Sequence, residues 1–218
     1  MKHARIIIAL LVLLGAASLA EAQIVVSQTT ASTTRIHAKS GREKGFIIRP
    51  EVGIGSNISD GWWAFNLYAT FAYQFNPYFA IGVGTGLNSF PFQEYDRKTA
   101  ILGLPLFVNS RVYFSDRQWS PFFDVKMGYN EPLKKSWKRV ELYNGISDYT
   151  YYLHGFMLFG TLGMQHKNLD LGCTIGISRR RGDVGHNNYG YEYNEYNLDR
   201  TILLLGVYIA YNFQFKKK

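Results

Sequence analysis

The sequence is poor in three features that would assign its class at once: cysteine, charge and long apolar runs. Cys173 is the only cysteine among 218 residues, which excludes a small domain held together by disulfides. Charged residues make up 18% and aromatic residues 16%, whereas an intrinsically disordered chain is rich in charge and poor in aromatics. The many Tyr, Phe and Gly residues that remain favour an all-β chain of one domain.

The first 22 residues have the pattern of a secretory signal peptide. Lys2 and Arg5 precede an apolar run, and Ala20-Glu21-Ala22 supplies the small residues of a cleavage site. A retained membrane anchor is the alternative, but the run Ile6–Ala20 is shorter than the ~20 residues that span a bilayer. The sequence therefore predicts a signal peptide over residues 1–22, followed by a flexible periplasmic lead-in over residues 23–45.

No later apolar stretch is long enough for a membrane-spanning helix. The longest, Ile202–Tyr211, covers about half of such a span. Two classes remain: a soluble exported β protein, and a β-barrel in an outer membrane.

Eight segments alternate between apolar residues and small or polar residues with a period of two. In the clearest of them, one parity carries Phe65, Leu67 and Phe71, and the other carries Asn66 and Thr70. Because a strand places alternate side chains on opposite faces, each segment predicts a strand with one apolar face. The eight predicted strands are Ile48–Ser56, Trp62–Phe75, Phe79–Leu87, Leu102–Phe114, Phe123–Tyr129, Tyr151–Gln165, Leu169–Ile177 and Ile202–Phe215.

The predicted connections alternate between short turns and longer loops, which is typical of transmembrane barrels. Since the number of strands is even, both termini are expected at the short-turn end. The predicted short turns are Asn76–Pro77, Asp116–Ser120 and His166–Asn168, and the predicted longer loops are Phe90–Lys98, Glu131–Thr150 and Arg181–Asp199.

The apolar faces are predicted to point outward, to lipid. A soluble, lipocalin-like barrel would place them inside, but side chains such as Trp63, Phe65 and Phe71 would overfill an eight-stranded interior. Its outer surface would then consist mainly of Gly, Ala, Asn and Thr. We therefore predict an all-β fold: an eight-stranded antiparallel up-and-down transmembrane β-barrel over residues 46–215, followed by a basic tail over residues 216–218.

This orientation turns charges of both signs into the barrel interior, where they must pair or stay hydrated. The main prediction is a plug of salt bridges that closes the lumen, and the alternative is a narrow, porin-like ion path. The predicted lumen charge network consists of Arg49, Glu51, Arg111, Asp124, Lys126, Asp170 and Arg180.

The signal peptide, the eight amphipathic strands and the final apolar-aromatic segment Gly206–Phe215 look like small outer-membrane barrels: the OmpX and OmpA types and the PorT-like barrels of Bacteroidetes. The resemblance implies export to the outer membrane of a Gram-negative cell. It also implies contact with outer-membrane lipid and lipopolysaccharide, and with the barrel-assembly machinery during biogenesis. The chain departs from the pattern by adding Lys216–Lys218 after Phe215. We expect a monomer. The net charge of +8 favours anionic lipid or polysaccharide over nucleic acid, which an exported chain rarely meets.

Motifs for chemistry are sparse. The sequence contains no His-x-x-x-His, no paired Cys and His spacing and no Gly-x-Ser-x-Gly, so no metal, cofactor or catalytic residue is predicted. The competing enzyme hypothesis is a lipid-A-modifying barrel, for which Ser147, Asp148 and His154 are the only local candidates.

Two polar stretches combine basic and aromatic residues that could hold the phosphates and sugars of lipopolysaccharide. The alternative is simple extension of the strands above the membrane, because Tyr189, Tyr191 and Tyr193 alternate as in a hairpin. The sequence therefore predicts a structural or surface-binding barrel without catalysis. The candidate surface-binding residues are Lys134, Lys135, Trp137, Lys138, Arg139, Tyr189, Tyr191 and Tyr193.

Overall fold

A computed structural model describes residues 41–58, 63–94, 97–133, 136–142, 145–188 and 191–215. Only the backbone is described for residues 90–94, 97–99, 136–142, 145–151, 184–188 and 191–196. Across these ranges no helix is long and apolar enough to cross a membrane. The strands are β1 (Gly45–Asn57), β2 (Trp63–Asn76), β3 (Phe79–Glu94), β4 (Arg97–Tyr113), β5 (Trp119–Pro132), β6 (Ser136–Leu142), β7 (Gly145–His166), β8 (Leu169–Asn188), β9 (Tyr191–Tyr211) and β10 (Phe213–Phe215).

The strands form one closed antiparallel barrel. β6 continues β5 along the same edge of β7, and β10 continues β9 along β1, so ten strand segments make eight positions in the wall. The closing seam pairs β1 with β9 and β10, from Asn57 opposite Leu204 to Phe46 opposite Phe215. The predicted eight-stranded antiparallel barrel is confirmed.

The two ends of the barrel differ. At the short-turn end, brief connections join β2 to β3, β4 to β5 and β7 to β8, where the sequence predicts them, and Gly45 and Phe215 lie beside each other. At the opposite, long-hairpin end, β7, β8 and β9 extend to 22, 20 and 21 residues. About ten residues of tilted strand suffice to cross a bilayer.

The structure differs from the prediction of three longer loops and, around Tyr191 and Tyr193, agrees with the alternative of extended strands. Most of Phe90–Lys98, Glu131–Thr150 and Arg181–Asp199 is β-strand in the structure. Hydrophobic alternation marks a strand only while one face is kept from water, and backbone pairing continues after that signal has ended.

The apolar faces point outward. Trp63 is 72% exposed and Leu106 is 69% exposed, while charged side chains such as Arg49 and Arg111 are fully buried, which inverts the usual arrangement of a water-soluble protein. A soluble barrel with its apolar face inside is therefore the wrong alternative. We call this exterior the apolar belt, and its exposed members include Phe46, Val52, Trp63, Phe65, Phe71, Val83, Leu106, Phe114, Trp119, Leu162, Leu171, Ile175 and Val207.

Glycine makes room for the largest inward aromatic side chains. A Cβ atom at Gly176 would overlap the ring of Phe159, and one at Gly84 would overlap the ring of Phe107. The small barrel can hold these rings because the facing strand positions carry no side chain.

Candidate functional site

The lumen is the candidate site, because it gathers the buried charges of four strands at one level. Arg49 and Glu51 come from β1, Arg111 from β4, Asp124 and Lys126 from β5, and Asp170 from β8. The register places Arg111 directly opposite Asp124, and the inward parity of each strand brings the remaining groups to the same level. We call these six residues the charged layer.

Arg111 lies at the centre of the charged layer. Its Nε donates to Asp124 Oδ2 at 2.7 Å, its Nη1 bonds to the Asp170 carboxylate, and its Nη2 donates to the Tyr208 hydroxyl at 3.0 Å. The guanidinium also stacks on Phe122, with 4.0 Å between its Cζ and the ring centroid. These contacts use the planar fork of arginine to hold two carboxylates at once.

Arg49 and Lys126 complete the neutralisation. Arg49 lies 3.6 Å from Asp124 and 3.7 Å from Asp170, and its Nε donates to Asn212 Oδ1 at 2.8 Å. Lys126 Nζ lies 3.0 Å from the Glu51 carboxylate and 3.2 Å from Asp124 Oδ1. Three cations thus face three carboxylates in a dry interior, where paired charges are tolerated and a lone charge is costly.

Arg180, the seventh residue of the predicted network, is buried elsewhere in the lumen. Its Nη1 lies 3.4 Å from the backbone carbonyl of Asn130, nearer the long-hairpin end. With the Asn130 amide turned so that its oxygen faces Arg180, Oδ1 accepts from Nη1 at 2.6 Å and from Nη2 at 3.0 Å. The structure therefore joins six of the seven predicted charges directly and holds the seventh by a polar contact of its own.

Next to the charged layer, towards the long-hairpin end, lies a layer of mainly apolar side chains. A cavity of about 30 Å³ lies where the two layers meet, between Glu51, Tyr68, Lys126, Phe159 and Tyr208, which is room for one or two water molecules. The apolar layer consists of Ala64, Tyr68, Phe107, Met157, Phe159, Ile202 and Leu204.

Arg42, which no sequence pattern marks, fills the mouth of the barrel at the short-turn end. Arg42 is buried in the mouth of the barrel, with its guanidinium 4.2 Å from the centroid of the Tyr113 ring. It donates from Nε to the Pro77 carbonyl at 2.9 Å and from Nη1 to Gln165 Oε1 at 2.6 Å. Its Nη2 donates to Ser120 Oγ at 3.1 Å and to the Ser115 carbonyl.

Arg42 corrects the prediction of a flexible lead-in as far as residue 45. It joins two of the short turns to the end of β7 from inside the barrel, so the chain is already held in place three residues before β1 begins. Residues 23–40, the predicted signal peptide and the predicted basic tail lie outside the described residues.

Those predicted surface-binding residues that the structure describes lie at the long-hairpin end. Trp137, Lys138 and Arg139 belong to β6, and Tyr191 and Tyr193 belong to β9; for these only the backbone is described. Lys134, Lys135 and Tyr189 lie outside the described residues. Their binding role stays a prediction.

The three candidate catalytic residues are spread along one strand. Ser147, Asp148 and His154 all belong to β7, and at about 3.3 Å per residue the Cα atoms of Ser147 and His154 lie on the order of 20 Å apart. His154 instead contacts the Tyr129 hydroxyl through Nδ1. This strand therefore does not assemble a Ser-His-acid triad. Within the described part of the chain, no group of three His, Cys, Asp or Glu residues is placed to hold a metal ion.

Comparison with known proteins supports the fold. No family model and no curated protein matches the chain. It is similar to the solved structure of the outer membrane protein OprG from Pseudomonas aeruginosa, with a TM-score of 0.51 and 12% identity, covering 81% of this chain and 100% of that one. It is also similar to the outer membrane protein AlkL, solved by solid-state NMR in DMPC lipid bilayers, with a TM-score of 0.47 and 13% identity over 86% and 99% of the two chains. For the outer membrane enzyme PagL the TM-score is 0.45 with 11% identity over 75% and 98%. The chain thus shares with OprG the fold of a small outer-membrane β-barrel.

Proposed function

We propose that this chain is an outer-membrane β-barrel with a closed lumen and a structural or surface-binding role. The observation that carries the proposal is the combination of an apolar exterior with an interior layer of buried, mutually paired charges. The apolar belt matches a hydrocarbon surrounding, in which every backbone group must be paired within the protein, as it is in a closed barrel.

In the proposed orientation the short-turn end faces the periplasm and the long-hairpin end faces outward. Short periplasmic turns and longer outer connections are the general asymmetry of such barrels. Export by the predicted signal peptide, insertion by the barrel-assembly machinery, a monomeric state, and contact with outer-membrane lipid and lipopolysaccharide belong to this proposal.

A conducting pore is the weaker alternative. An ion would have to pass Arg42 in the mouth, the charged layer and the apolar layer in turn. Displacing the charged layer would separate buried opposite charges, which is strongly unfavourable.

The surface-binding part of the proposal rests on the projecting hairpins. Beyond Ile177, the last belt residue of β8, the strand continues to Asn188, which is roughly 35 Å of additional strand. Closing a barrel requires no such extension. The paired backbone gives the aromatic and basic residues of this region a rigid support for recognition.

Membrane insertion is the decisive test. We expect the wild type, refolded into lipid vesicles, to migrate differently on gels with and without heating. Val108→Arg in the middle of the apolar belt should destabilise the inserted barrel by roughly 2–4 kcal/mol, and Leu133→Arg just past the end of β5 by about 1 kcal/mol or less. A wild type that stays dispersed in buffer without detergent would overturn the proposal.

The closed lumen is tested separately by conductance. Wild-type protein in a planar bilayer should show no stable channel steps. Reproducible steps that scale with salt concentration would favour the porin-like alternative.

A further inference from the structure

Two arginines stand on the outer wall where the apolar belt ends. On β8 the outward positions run Ile175, Ile177, Arg179 and Arg181, so the face changes from apolar to cationic within one step of the pleat. The side chains of Arg179 and Arg181 are 55% and 58% exposed. We call them the arginine pair.

The arginine pair is oriented by one carboxylate on the neighbouring strand. Arg179 donates from Nε to Asp199 Oδ1 at 3.0 Å and from Nη2 to Oδ2 at 2.8 Å, and Arg181 donates from Nε to Oδ2 at 2.8 Å. Hydrogen bonding to Arg179 lowers the pKa of Asp199 to about 2, so this carboxylate is ionised at neutral pH. Two guanidinium groups and one carboxylate leave a net positive charge.

Several donors of the arginine pair remain directed away from Asp199. Each guanidinium carries five N–H bonds, whereas Asp199 engages two nitrogens of Arg179 and one of Arg181. Because Asp199 already restricts both side chains, a further anion would bind them with a smaller loss of side-chain entropy.

The surroundings identify the kind of anion. Below the arginine pair, Ile177 and Leu203 are exposed members of the apolar face, suited to acyl chains. Beside it on β7 lies His154, directly opposite Arg181 in the register, followed along the wall by Tyr129. A ligand at this level meets apolar side chains on one side and hydrogen-bonding groups on the other, as a lipid headgroup does.

We propose that Arg179 and Arg181 bind a phosphate of a phosphorylated glycolipid in the outer leaflet, the chemistry that lipid A presents. The proposal rests on the proposed outer-membrane orientation. A phosphate accepts paired hydrogen bonds from the planar guanidinium fork, and the acyl chains of the same molecule lie along the apolar belt. The ligand is therefore expected to be lipid-borne phosphate and not free phosphate.

The test is titration of the full chain, refolded in detergent micelles, with bisphosphorylated lipid A, with binding followed by native mass spectrometry. The double variant R179Q/R181Q should lose roughly tenfold or more in affinity, since two charge-assisted contacts are removed. The matched control is K167Q, which removes an exposed cation from the turn at the opposite end and should bind like the wild type. An equal loss of lipid A affinity in K167Q would show that net charge alone explains the effect, and would overturn the proposal.

Two further arms separate a built site from general attraction. R179K/R181K keeps the charge but loses the planar fork, so it should bind clearly more weakly than the wild type; unchanged affinity would overturn the proposal. Millimolar inorganic phosphate should not displace lipid A, and displacement would mean that the site takes free phosphate instead. If K134Q/K135Q abolishes binding and R179Q/R181Q does not, the lipid is bound by the hairpins.

The outcome can be separated from that of the proposed function. Insertion into vesicles is measured on the wild type by heat-modifiable migration, without added lipid A. Failure there overturns the outer-membrane assignment, whereas intact insertion with unchanged lipid A binding by R179Q/R181Q overturns only the phosphate site.

Discussion

Two adjoining layers of the lumen fill the same barrel with opposite chemistry. Towards the short-turn end, Arg49, Arg111 and Lys126 share their carboxylates. Each of these three cations therefore has two carboxylate partners. Towards the long-hairpin end, Phe107 and Phe159 fill space by volume. A charged layer specifies which groups must meet, whereas an apolar layer specifies mainly how much volume they occupy. We therefore expect the effect of a substitution to spread through the charged layer and to stay local in the apolar layer.

The largest effect is expected from Arg111→Met in the charged layer. It leaves the carboxylates of Asp124 and Asp170 without their closest cation, which should cost about 4–5 kcal/mol of unfolding free energy. Urea unfolding in lipid vesicles measures this. Adding Asp170→Asn to the same chain should recover part of the loss, because one of the stranded charges is removed. If Arg111→Met had the same free energy of unfolding as the wild type, the inference that these charges depend on one another would be contradicted.

Phe107→Ala tests the apolar layer and should cost about 3 kcal/mol through the cavity it leaves. Conductance should stay absent, since the charged layer below still fills the lumen. The matched control is Phe65→Ala on the lipid face, where no internal cavity forms and the loss should be clearly smaller. Equal losses at the two positions would show that Phe107 does not act by filling the interior.

Arg42→Ala tests how far the contacts of Arg42 stabilise the short-turn end of the barrel. Removing its bonds to the turn carbonyls should cost roughly 1–3 kcal/mol. Hydrogen exchange should accelerate at the turn amides of Tyr113 and Lys167, which donate to the Tyr78 and Gln118 carbonyls, and remain slow at Phe107. Uniform acceleration along β4 would mean that Arg42 supports the whole wall. Arg42→Lys should give an intermediate result because it keeps the charge without the planar fork.

The smallest effect is expected outside the barrel, at Asp199. Asp199→Asn should leave the urea midpoint at neutral pH nearly unchanged, because the ion pair is exposed and screened by solvent. Arg179 holds the pKa of Asp199 at about 2, below the value of about 4 in an unfolded chain. Any contribution is thus complete well above pH 4 and is lost progressively as the pH falls from about 4 to below 2, which unfolding of the wild type and Asp199→Asn at several pH values would reveal. A clear difference at pH 7 would contradict this view.

The sequence predicts the wall well because strand parity is a local property. Leu106 and Arg111 differ in parity, and the structure places the first outside and the second inside. The position of a residue along the barrel axis is not a local property, because it depends on how the strands are staggered. Arg180 therefore has the predicted inward parity but lies apart from Asp124.

Arg42 escaped prediction for a similar reason. Its partners Pro77 and Ser115 lie in two separate turns and Gln165 lies near the end of β7, and these three sites come together only in the closed fold. No pattern around residue 42 carries that information. One sequence pattern does indicate the extended hairpins: the alternation of Tyr189, Tyr191 and Tyr193 is typical of a strand and not of a loop.

The closing seam connects closure of the barrel with the pairing of its buried charges. Glu51 of β1 pairs with Ala210 of β9, so this ladder joins distant parts of the chain, and until it forms both strands present bare edges. Arg49 on one side of the seam donates to Asn212 on the other, and Asn212 in turn donates to Asp170. The pairing that closes the cylinder is therefore also the pairing that brings Arg49 to Asn212 and so completes the hydrogen bonds around Asp170.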